Sequence, residues 1–282
     1  MAISLNTFFA ASARRNIGIA NNNLSENFAK LSSGRRITKA AVDAAGLAIA
    51  EQLQADIRSS QQAQRNLTDG AALTRVAEGG LSEISNLLTR GRELSIQAAN
   101  GTLNDSQRAT IQIEIDSIKS EITRISDTTE FNGQKVINGE LSSGAPEVTV
   151  QAGIQNTSSD RISLNVLEDS GSTALGIGSV DVSTRQGAQD ALTSFDSALA
   201  SVASNRASVG ALQNRFDRAA SNLAVSRENL QAANAAIRDL DYAAETSSLS
   251  NNQILQKAAV KTLSSGLESQ RGLIGALLNI RG

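Results

Sequence analysis

Residues 195–237 read FDSALASVASNRASVGALQNRFDRAASNLAVSRENLQAANAAI and carry a large apolar side chain at every seventh position. A strict seven-residue spacing puts these side chains on one face of a helix. Sustained over this length, it predicts a left-handed supercoil with a partner helix. The seven positions are Phe195, Val202, Val209, Phe216, Leu223, Leu230 and Ile237.

Three further helices are predicted on the amino-terminal side of this stretch. From Leu5 to Leu31, apolar residues recur at steps of three or four, and Gly34 follows as the left-handed residue that ends a helix. A second helix begins near Asp43 and runs to Ala99, with isolated glycines that each cost about 1 kcal/mol relative to alanine. A third helix carries a seam of β-branched residues, Ile111, Ile115, Ile118, Ile122 and Ile125.

A final helix is predicted beyond Tyr242. Apolar residues fill its a and d positions, and Gln270 occupies one d position. Its apolar residues are Val260, Leu263, Leu267, Ile274 and Leu277.

The middle of the chain, residues 131–183, departs from helical periodicity. Asn132-Gly133 and Asn138-Gly139 are turn dipeptides, and the single proline, Pro146, lies here. Residues 147–151 and 161–166 alternate with period two around a polar stretch, which predicts a β-hairpin.

These patterns together predict a mainly α fold, in which long antiparallel coiled-coil helices come from both halves of the chain and a small β-hairpin region lies in the middle. The predicted domains are a discontinuous terminal helical hairpin (1–34 with 240–282), a linker (35–42), a long coiled-coil domain (43–130 with 184–239) and the β-hairpin insert (131–183).

Composition excludes several functional classes. The 282 residues include 26 basic and 28 acidic side chains but no cysteine, histidine or tryptophan. Disulfides, thiol nucleophiles, Ser-His-Asp relays and thiolate or imidazole metal sites are therefore excluded. A near-neutral charge with 2% aromatic residues argues against nucleic-acid binding. The carboxylates are scattered along solvent-facing positions, so we expect no enzyme, metal or cofactor site.

Neither membrane insertion nor a cleaved signal peptide is expected. No run of about 18 apolar residues exists, so no helix is predicted to span a membrane. The first 16 residues, MAISLNTFFAASARRN, place their arginines after a short apolar patch, which is the wrong order for a secretory signal.

Seven blocks of this sequence resemble bacterial flagellin in order and spacing. The resemblance covers nearly the whole chain except roughly residues 140–185, and the central segment is very short. Val42 stands where the family commonly has an acidic residue. The blocks are LSSGRRI (31–37), DAAGLAIA (43–50), RGRELSIQA (90–98), FNGQKV (131–136), LQNRF (212–216), DYAAE (241–245) and QILQ (253–256).

The resemblance implies a structural subunit that polymerises into the helical flagellar filament, is exported unfolded and folds on assembly. It implies an extracellular location in the flagellum, reached through the export channel. The implied partners are other copies of the chain, the export apparatus and its chaperone, and the filament cap and hook-associated proteins. An adaptor at the hook–filament junction, which resembles flagellin at both termini, remains the alternative. A third hypothesis is a coiled-coil enzyme or a secreted effector, for which the sequence shows no site.

The terminal apolar stripes are the candidate functional residues. A two-helix hairpin made from one chain is too thin to bury them, so we expect neighbouring copies to complete their burial. Both termini are then expected to be disordered in the monomer and to fold on assembly. The residues predicted to pack between subunits are Leu5, Phe9, Ile17, Leu24, Phe28, Leu31, Val260, Leu263, Leu267, Ile274 and Leu277.

A second candidate surface follows from the family resemblance. The block around Arg90, Leu94 and Glu114 is similar to the surface that the flagellin-sensing Toll-like receptor contacts in the family. The residues themselves allow a simpler reading, in which Arg90 and Glu114 form an exposed ion pair between adjacent helices, worth about 0–1 kcal/mol.

Overall fold

The computed structural model describes the backbone of residues 2–279, and the side chains of Phe8, residues 10–272, 274 and 275. Within these residues the chain is mainly α, which confirms the predicted fold class. It divides into two compact units, Met1–Ala55 with Asn229–Gly282, and Asp56–Glu228. The helices are α1 (Ala2–Ser33), α2 (Ala44–Ala99), α3 (Asp105–Thr128), α4 (Arg185–Arg238) and α5 (Tyr242–Asn279).

The core of the 56–228 unit lies along the predicted seams. The five isoleucines of α3 are buried. On α4, the heptad positions from Phe195 to Phe216 are buried, whereas Leu223, Leu230 and Ile237 are half-buried. The seam therefore keeps its sequence period along α4 while its burial decreases toward the carboxyl end.

Two phenylalanines of α4 pack against glycines of α2. A Cβ added at Gly91 would lie 2.6 Å from Cε1 of Phe195, and one at Gly70 would lie 2.9 Å from Cζ of Phe216. In both pairs the residue numbers sum to 286, as they must when antiparallel helices keep one register. These two glycines of the long helix therefore make room for the aromatic rings.

The turn between α2 and α3 is fixed by side chains that satisfy helix-end groups. Asn104 and Gln107 form a capping box at the start of α3. The buried guanidinium of Arg108 donates to the carbonyl oxygens of Ala98 (2.9 Å) and Asn100 (3.0 Å) at the end of α2. The predicted end of the second helix at Ala99 is thereby confirmed.

The central segment contains two small antiparallel pairs. Strand β1 (Glu130–Phe131) pairs with β2 (Gln134–Lys135) across a turn in which Asn132 has φ +52° and Gly133 has φ +80°. Strand β3 (Thr149–Gln151) pairs with β4 (Arg161–Ser163), so Val150 lies opposite Ile162. The predicted hairpin is confirmed, with shorter strands than the alternation indicated.

In the other unit, the segment after α1 lies beside the segment before α5. Gly34 ends α1 with φ +68°, as predicted, and its carbonyl oxygen accepts a hydrogen bond from the amide of Leu240 at 3.2 Å. The Arg36 guanidinium donates to the carbonyl oxygen of Ile237 at 2.8 Å. Asp43 caps α2 by accepting from the Gly46 amide at 2.8 Å, which confirms the predicted start of that helix.

Candidate assembly interface

Helix α1 pairs with α5 through an inner face made mostly of small and polar residues. On α1, buried and half-buried positions recur at steps of four and three. Asn27 lies on this face with only 6% of its surface exposed, whereas the neighbouring Phe28 is 55% exposed. The inner positions that recur in this way are Ala13, Ile17, Ala20, Leu24, Asn27 and Leu31.

The inner face of α5 follows the same spacing. Its half-buried positions again recur at steps of four and three, and half of them are polar. Val260, Leu267 and Ile274 lie off this face and are exposed. The inner positions are Glu245, Leu249, Asn252, Gln256, Ala259, Leu263, Gly266 and Gln270.

Hydrogen bonds join the two inner faces. Asn27 Nδ2 donates to Glu245 Oε1 at 2.6 Å, and Asn27 Oδ1 accepts from Asn252 Nδ2 at 2.9 Å. Further along the pair, Gln256 Nε2 donates to Asn21 Oδ1 at 2.6 Å. The buried amide of Asn27 therefore has partners at both its donor and its acceptor.

The outer faces of the pair carry the larger apolar side chains. Beside Ile19 and Leu255, a groove of about 340 Å³ runs over Ala20, Ala258 and Ala259. The residues that line this groove are apolar or uncharged polar residues, so the groove offers no charged side chain that could hold a small ion. The exposed apolar residues of the pair include Ile19 (58%), Ile254 (61%), Leu255 (59%) and Val260 (50%).

The predicted packing residues therefore fall into distinct groups. Leu24 is buried within the pair, and Ile17, Leu31 and Leu263 are half-buried there. Four are exposed and available to a neighbour, namely Phe28, Val260, Leu267 and Ile274. The side chains of Leu5, Phe9 and Leu277 lie outside the described residues.

The structure also places the residues of the second candidate surface. Arg90 Nη2 lies 2.8 Å from Glu114 Oε1, and both side chains are about half exposed, which gives the ion pair between adjacent helices. The hydrogen bond with Glu114 raises the pKa of Arg90 above its ordinary value. Leu94, by contrast, is 2% exposed and belongs to the core, so its side chain does not share the surface of the other two.

Two further kinds of feature are absent from the described part of the chain. Among its residues, no group of three or more acidic side chains is arranged to hold a metal ion. None of its helices is both long and apolar enough to cross a membrane.

Sequence reasoning missed the polar residues inside this pair. Asn27, Glu245 and Asn252 carry its hydrogen bonds, yet apolar periodicity selected Phe28 and Val260 instead. A signal was available, because Ala13, Ala20 and Asn27 are spaced by seven, as are Ile17, Leu24 and Leu31. Asparagine at one a position among apolar d positions is a known way to specify how helices pair.

Comparisons with known proteins give a consistent result. The profile for the bacterial flagellin N-terminal helical region matches residues 3–142, and the profile for the flagellin C-terminal helical region matches residues 192–275. The flagellar filament 30.7 kDa core protein of Treponema maltophilum is 36% identical, over 89% of this chain and 91% of that protein. A flagellin of Halalkalibacterium halodurans is also 36% identical, over 95% of this chain and 97% of that protein.

Among solved structures, a putative flagellar hook-associated protein from Vibrio parahaemolyticus has a similar fold. The match has a TM-score of 0.56 and covers 70% of this chain and 99% of that one, at 16% identity. At that identity the likeness concerns the fold alone.

Proposed function

The chain belongs to the bacterial flagellin family, and from this premise we propose that its subunits bury their terminal helices fully only when they join the filament. The protein is a structural subunit of the flagellar filament used for motility, not an enzyme. The hook–filament adaptor is not favoured, because flagellin profiles match both halves of the chain and flagellins match most of its length at 36–37% identity.

The observation that carries the proposal is the exposure of large apolar side chains on the outside of the α1–α5 pair. Phe28, Ile254 and Leu255 are each more than half exposed. Burying one such side chain completely contributes about 1.5–3 kcal/mol. A second copy that covers several of them therefore gains enough to drive association.

The same arrangement supports folding on assembly. The inner faces of α1 and α5 supply few large apolar contacts, and helices gain most of their stability from tertiary packing. A pair with so little apolar interior does not offset the conformational entropy of ordering its residues. We therefore expect the terminal helices to be largely unfolded in the dilute monomer.

The domain organisation proposed from the sequence fits this function. The terminal pair (1–34 with 240–282) would pack between copies, and the coiled-coil domain (43–130 with 184–239) would form the folded body. The linker (35–42) would connect them. The insert (131–183) would face outward, in keeping with the region between residues 142 and 192 that neither family profile matches.

Export and location follow from family membership as proposals. The subunit would leave the cell unfolded through the flagellar export channel, without a cleaved signal peptide, and assemble outside. Its partners would be the export apparatus, an export chaperone, the filament cap and the hook-associated proteins. The absence of cysteine and the presence of only one proline suit passage of an unfolded chain. Disulfide crosslinks would keep the chain from unfolding fully, and proline isomerisation is slow.

A receptor contact is proposed more narrowly than the sequence indicated. Arg90 and Glu114 would provide the charged surface for a Toll-like receptor, and buried Leu94 would support it from beneath. Purified monomer should then stimulate receptor-reporter cells, and an R90A/E114A variant should do so less. Equal stimulation by both proteins would remove these residues from the contact.

Polymerisation of purified protein on short filament seeds tests the main proposal. The variant I254S/L255S removes two exposed apolar side chains and should raise the critical concentration at least about tenfold, since each buried side chain contributes about 1.5–3 kcal/mol. Ile154→Ser, at an exposed position of the insert, serves as the matched control and should polymerise normally. Unchanged assembly of the double variant would contradict the proposal.

Amide hydrogen exchange tests coupled folding separately. Residues of α1 and α5 should exchange quickly in dilute monomer and slowly in filaments, while the core of residues 56–228 stays protected in both. Deleting residues 5–31 should abolish polymerisation and leave that core folded. Protected terminal helices in dilute monomer would refute folding on assembly.

A further inference from the structure

The dipeptide Asn-Gly occurs three times in the sequence, beginning at Asn100, Asn132 and Asn138. This dipeptide is chemically reactive, because the backbone nitrogen of the glycine attacks the side-chain carbonyl carbon, Cγ, of the asparagine. Glycine has no side chain that would hinder the approach. The attack requires the asparagine side chain and the peptide plane that follows it to rotate toward each other. Hydrogen bonds to either group slow this rotation, so the fold decides which of the three dipeptides reacts.

Two of the three dipeptides are held by hydrogen bonds. The Oδ1 atom of Asn100 accepts from the Thr102 amide at 3.1 Å, and the Asn100 carbonyl oxygen accepts from the buried guanidinium of Arg108 at 3.0 Å. The Oδ1 atom of Asn138 accepts from the Glu140 amide at 3.2 Å, and its Nδ2 donates to the Glu140 carboxylate at 3.3 Å. Rotation at these two positions must first break those bonds.

The third dipeptide, Asn132-Gly133, lies in the turn between β1 and β2, and both of its residues are exposed. Within the described residues, neither the side chain nor the backbone carbonyl of Asn132 makes a hydrogen bond. A Cβ added at Gly133 would meet nothing within 4 Å, so no neighbouring group crowds this residue. The strands on either side contain two residues each, and so short a pair opens readily.

We propose that Asn132 is a site of spontaneous covalent modification, in which its side-chain amide is lost and aspartate and isoaspartate form in the β1–β2 turn. The Gly133 nitrogen forms a bond to Cγ of Asn132, and the bond from Cγ to Nδ2 breaks. The displaced nitrogen leaves as ammonia with the proton of the Gly133 amide. Water then opens the cyclic imide. Hydrolysis at the side-chain carbonyl gives aspartate, and hydrolysis at the main-chain carbonyl gives isoaspartate, whose backbone runs through Cβ and Cγ.

The modification changes both the charge and the backbone of this turn. The new carboxylate would line the same cavity of about 420 Å³ as the carboxylate of Asp69, and like charges repel each other. Isoaspartate also lengthens the backbone of a turn whose geometry depends on positive φ angles, +52° at Asn132 and +80° at Gly133. The isoaspartate form therefore loses the pairing of Glu130–Phe131 with Gln134–Lys135, whereas the aspartate form keeps it.

Peptide mapping of the full-length protein tests the assignment, because trypsin places each Asn-Gly dipeptide in a different peptide. Cleavage after lysine and arginine gives residues 93–108, 125–135 and 136–161. The monomer is incubated in oxygen-18 water at mildly alkaline pH, either folded or unfolded in urea, and is then digested in ordinary water. Only deamidation that occurred during the incubation carries the label. The ratio of the folded rate to the unfolded rate at each site removes the contribution of the local sequence.

We expect this ratio to be at least about tenfold larger at Asn132 than at Asn100 or Asn138, since hydrogen bonds must break first at the other two sites. Equal ratios at the three sites would overturn the assignment, as would a ratio at Asn132 below the other two.

Hydrogen exchange of residues 130–135 in aged protein tests the effect on the hairpin. Isoaspartyl and aspartyl peptides separate by chromatography, so the exchange of each form is measured individually. Asn132→Asp is the matched control, because it adds the carboxylate without lengthening the backbone. Faster exchange in the isoaspartyl form than in N132D supports the predicted loss of strand pairing, and equal exchange in the two would overturn it.

Discussion

The contact between Gly91 and Phe195 gives a prediction that sets helix propensity against packing. Replacing glycine by alanine inside a helix normally stabilises it by about 1 kcal/mol. At Gly91, however, the new Cβ would lie 2.6 Å from Cε1 and 2.7 Å from Cζ of a fully buried ring. Overpacking of this kind costs about 1–3 kcal/mol. The net effect of G91A is therefore a destabilisation of up to about 2 kcal/mol.

Gly79 provides the matched control within the same helix. It is exposed, and a Cβ at that position would meet nothing within 4 Å. G79A should therefore stabilise the protein by up to about 1 kcal/mol. Because both substitutions gain the same propensity, the difference between the two variants isolates the overpacking cost against Phe195, about 1–3 kcal/mol.

Urea unfolding of the monomer, followed by circular dichroism at 222 nm, measures this difference. With m-values of about 1–3 kcal/mol/M, the midpoint of G91A should lie below that of G79A by about 1 M. In an F195L background the penalty of G91A should shrink, because the smaller side chain leaves room for the methyl group. Equal stabilisation by G91A and G79A would refute the packing argument, and so would a penalty that does not depend on residue 195.

Two further substitutions test local features of the fold. G34A places a methyl group 2.8 Å from Tyr242 Oη, on a residue whose φ is +68°. The left-handed backbone alone costs about 1–2 kcal/mol for alanine, so filaments of this variant should melt at a lower temperature than wild-type filaments. An unchanged melting temperature would contradict this. Hydrogen bonds from Ser183 lower the pKa of Asp181 below its ordinary value, so the stabilising contribution of Asp181 is present above the pKa of the unfolded chain and is lost as the pH falls through the lower folded pKa. D181N should therefore unfold with a weaker dependence on pH below about 4 than wild type, and identical acid-unfolding profiles would show that Asp181 contributes nothing.

Local signals in the sequence were sufficient to predict where helices begin and end. Gly34 and Asp43 act through their own backbone and nearest neighbours, so their roles as helix stop and helix start are visible in short segments. The isoleucine seam of α3 was equally clear, because it is buried within its own subunit. Such features depend on contacts that one chain makes with itself.

The rotation of the terminal helices could not be predicted in that way. Periodicity assigns the interface to the largest apolar side chains, and this placed Phe28 and Val260 on the packing face. In the structure, Phe28 and Val260 lie outside the interface between α1 and α5 of one chain. Asn27 and Gln256 make hydrogen bonds within that interface. The pattern alone does not say which of two apolar faces meets the same chain and which meets another.

The α4 seam shows how far one subunit can satisfy such a pattern. Its seven-residue repeat continues unchanged from Phe195 to Ile237, but full burial stops at Phe216. The later positions, Leu223 and Leu230, keep the apolar character of a core while remaining half-buried. The heptad repeat of apolar residues therefore continues beyond the last buried position, so the sequence carries more core-type residues on this face than one folded chain buries. In a protein that polymerises, we expect neighbouring copies to cover the apolar side chains that one chain leaves exposed, on α4 as on the outside of the terminal pair.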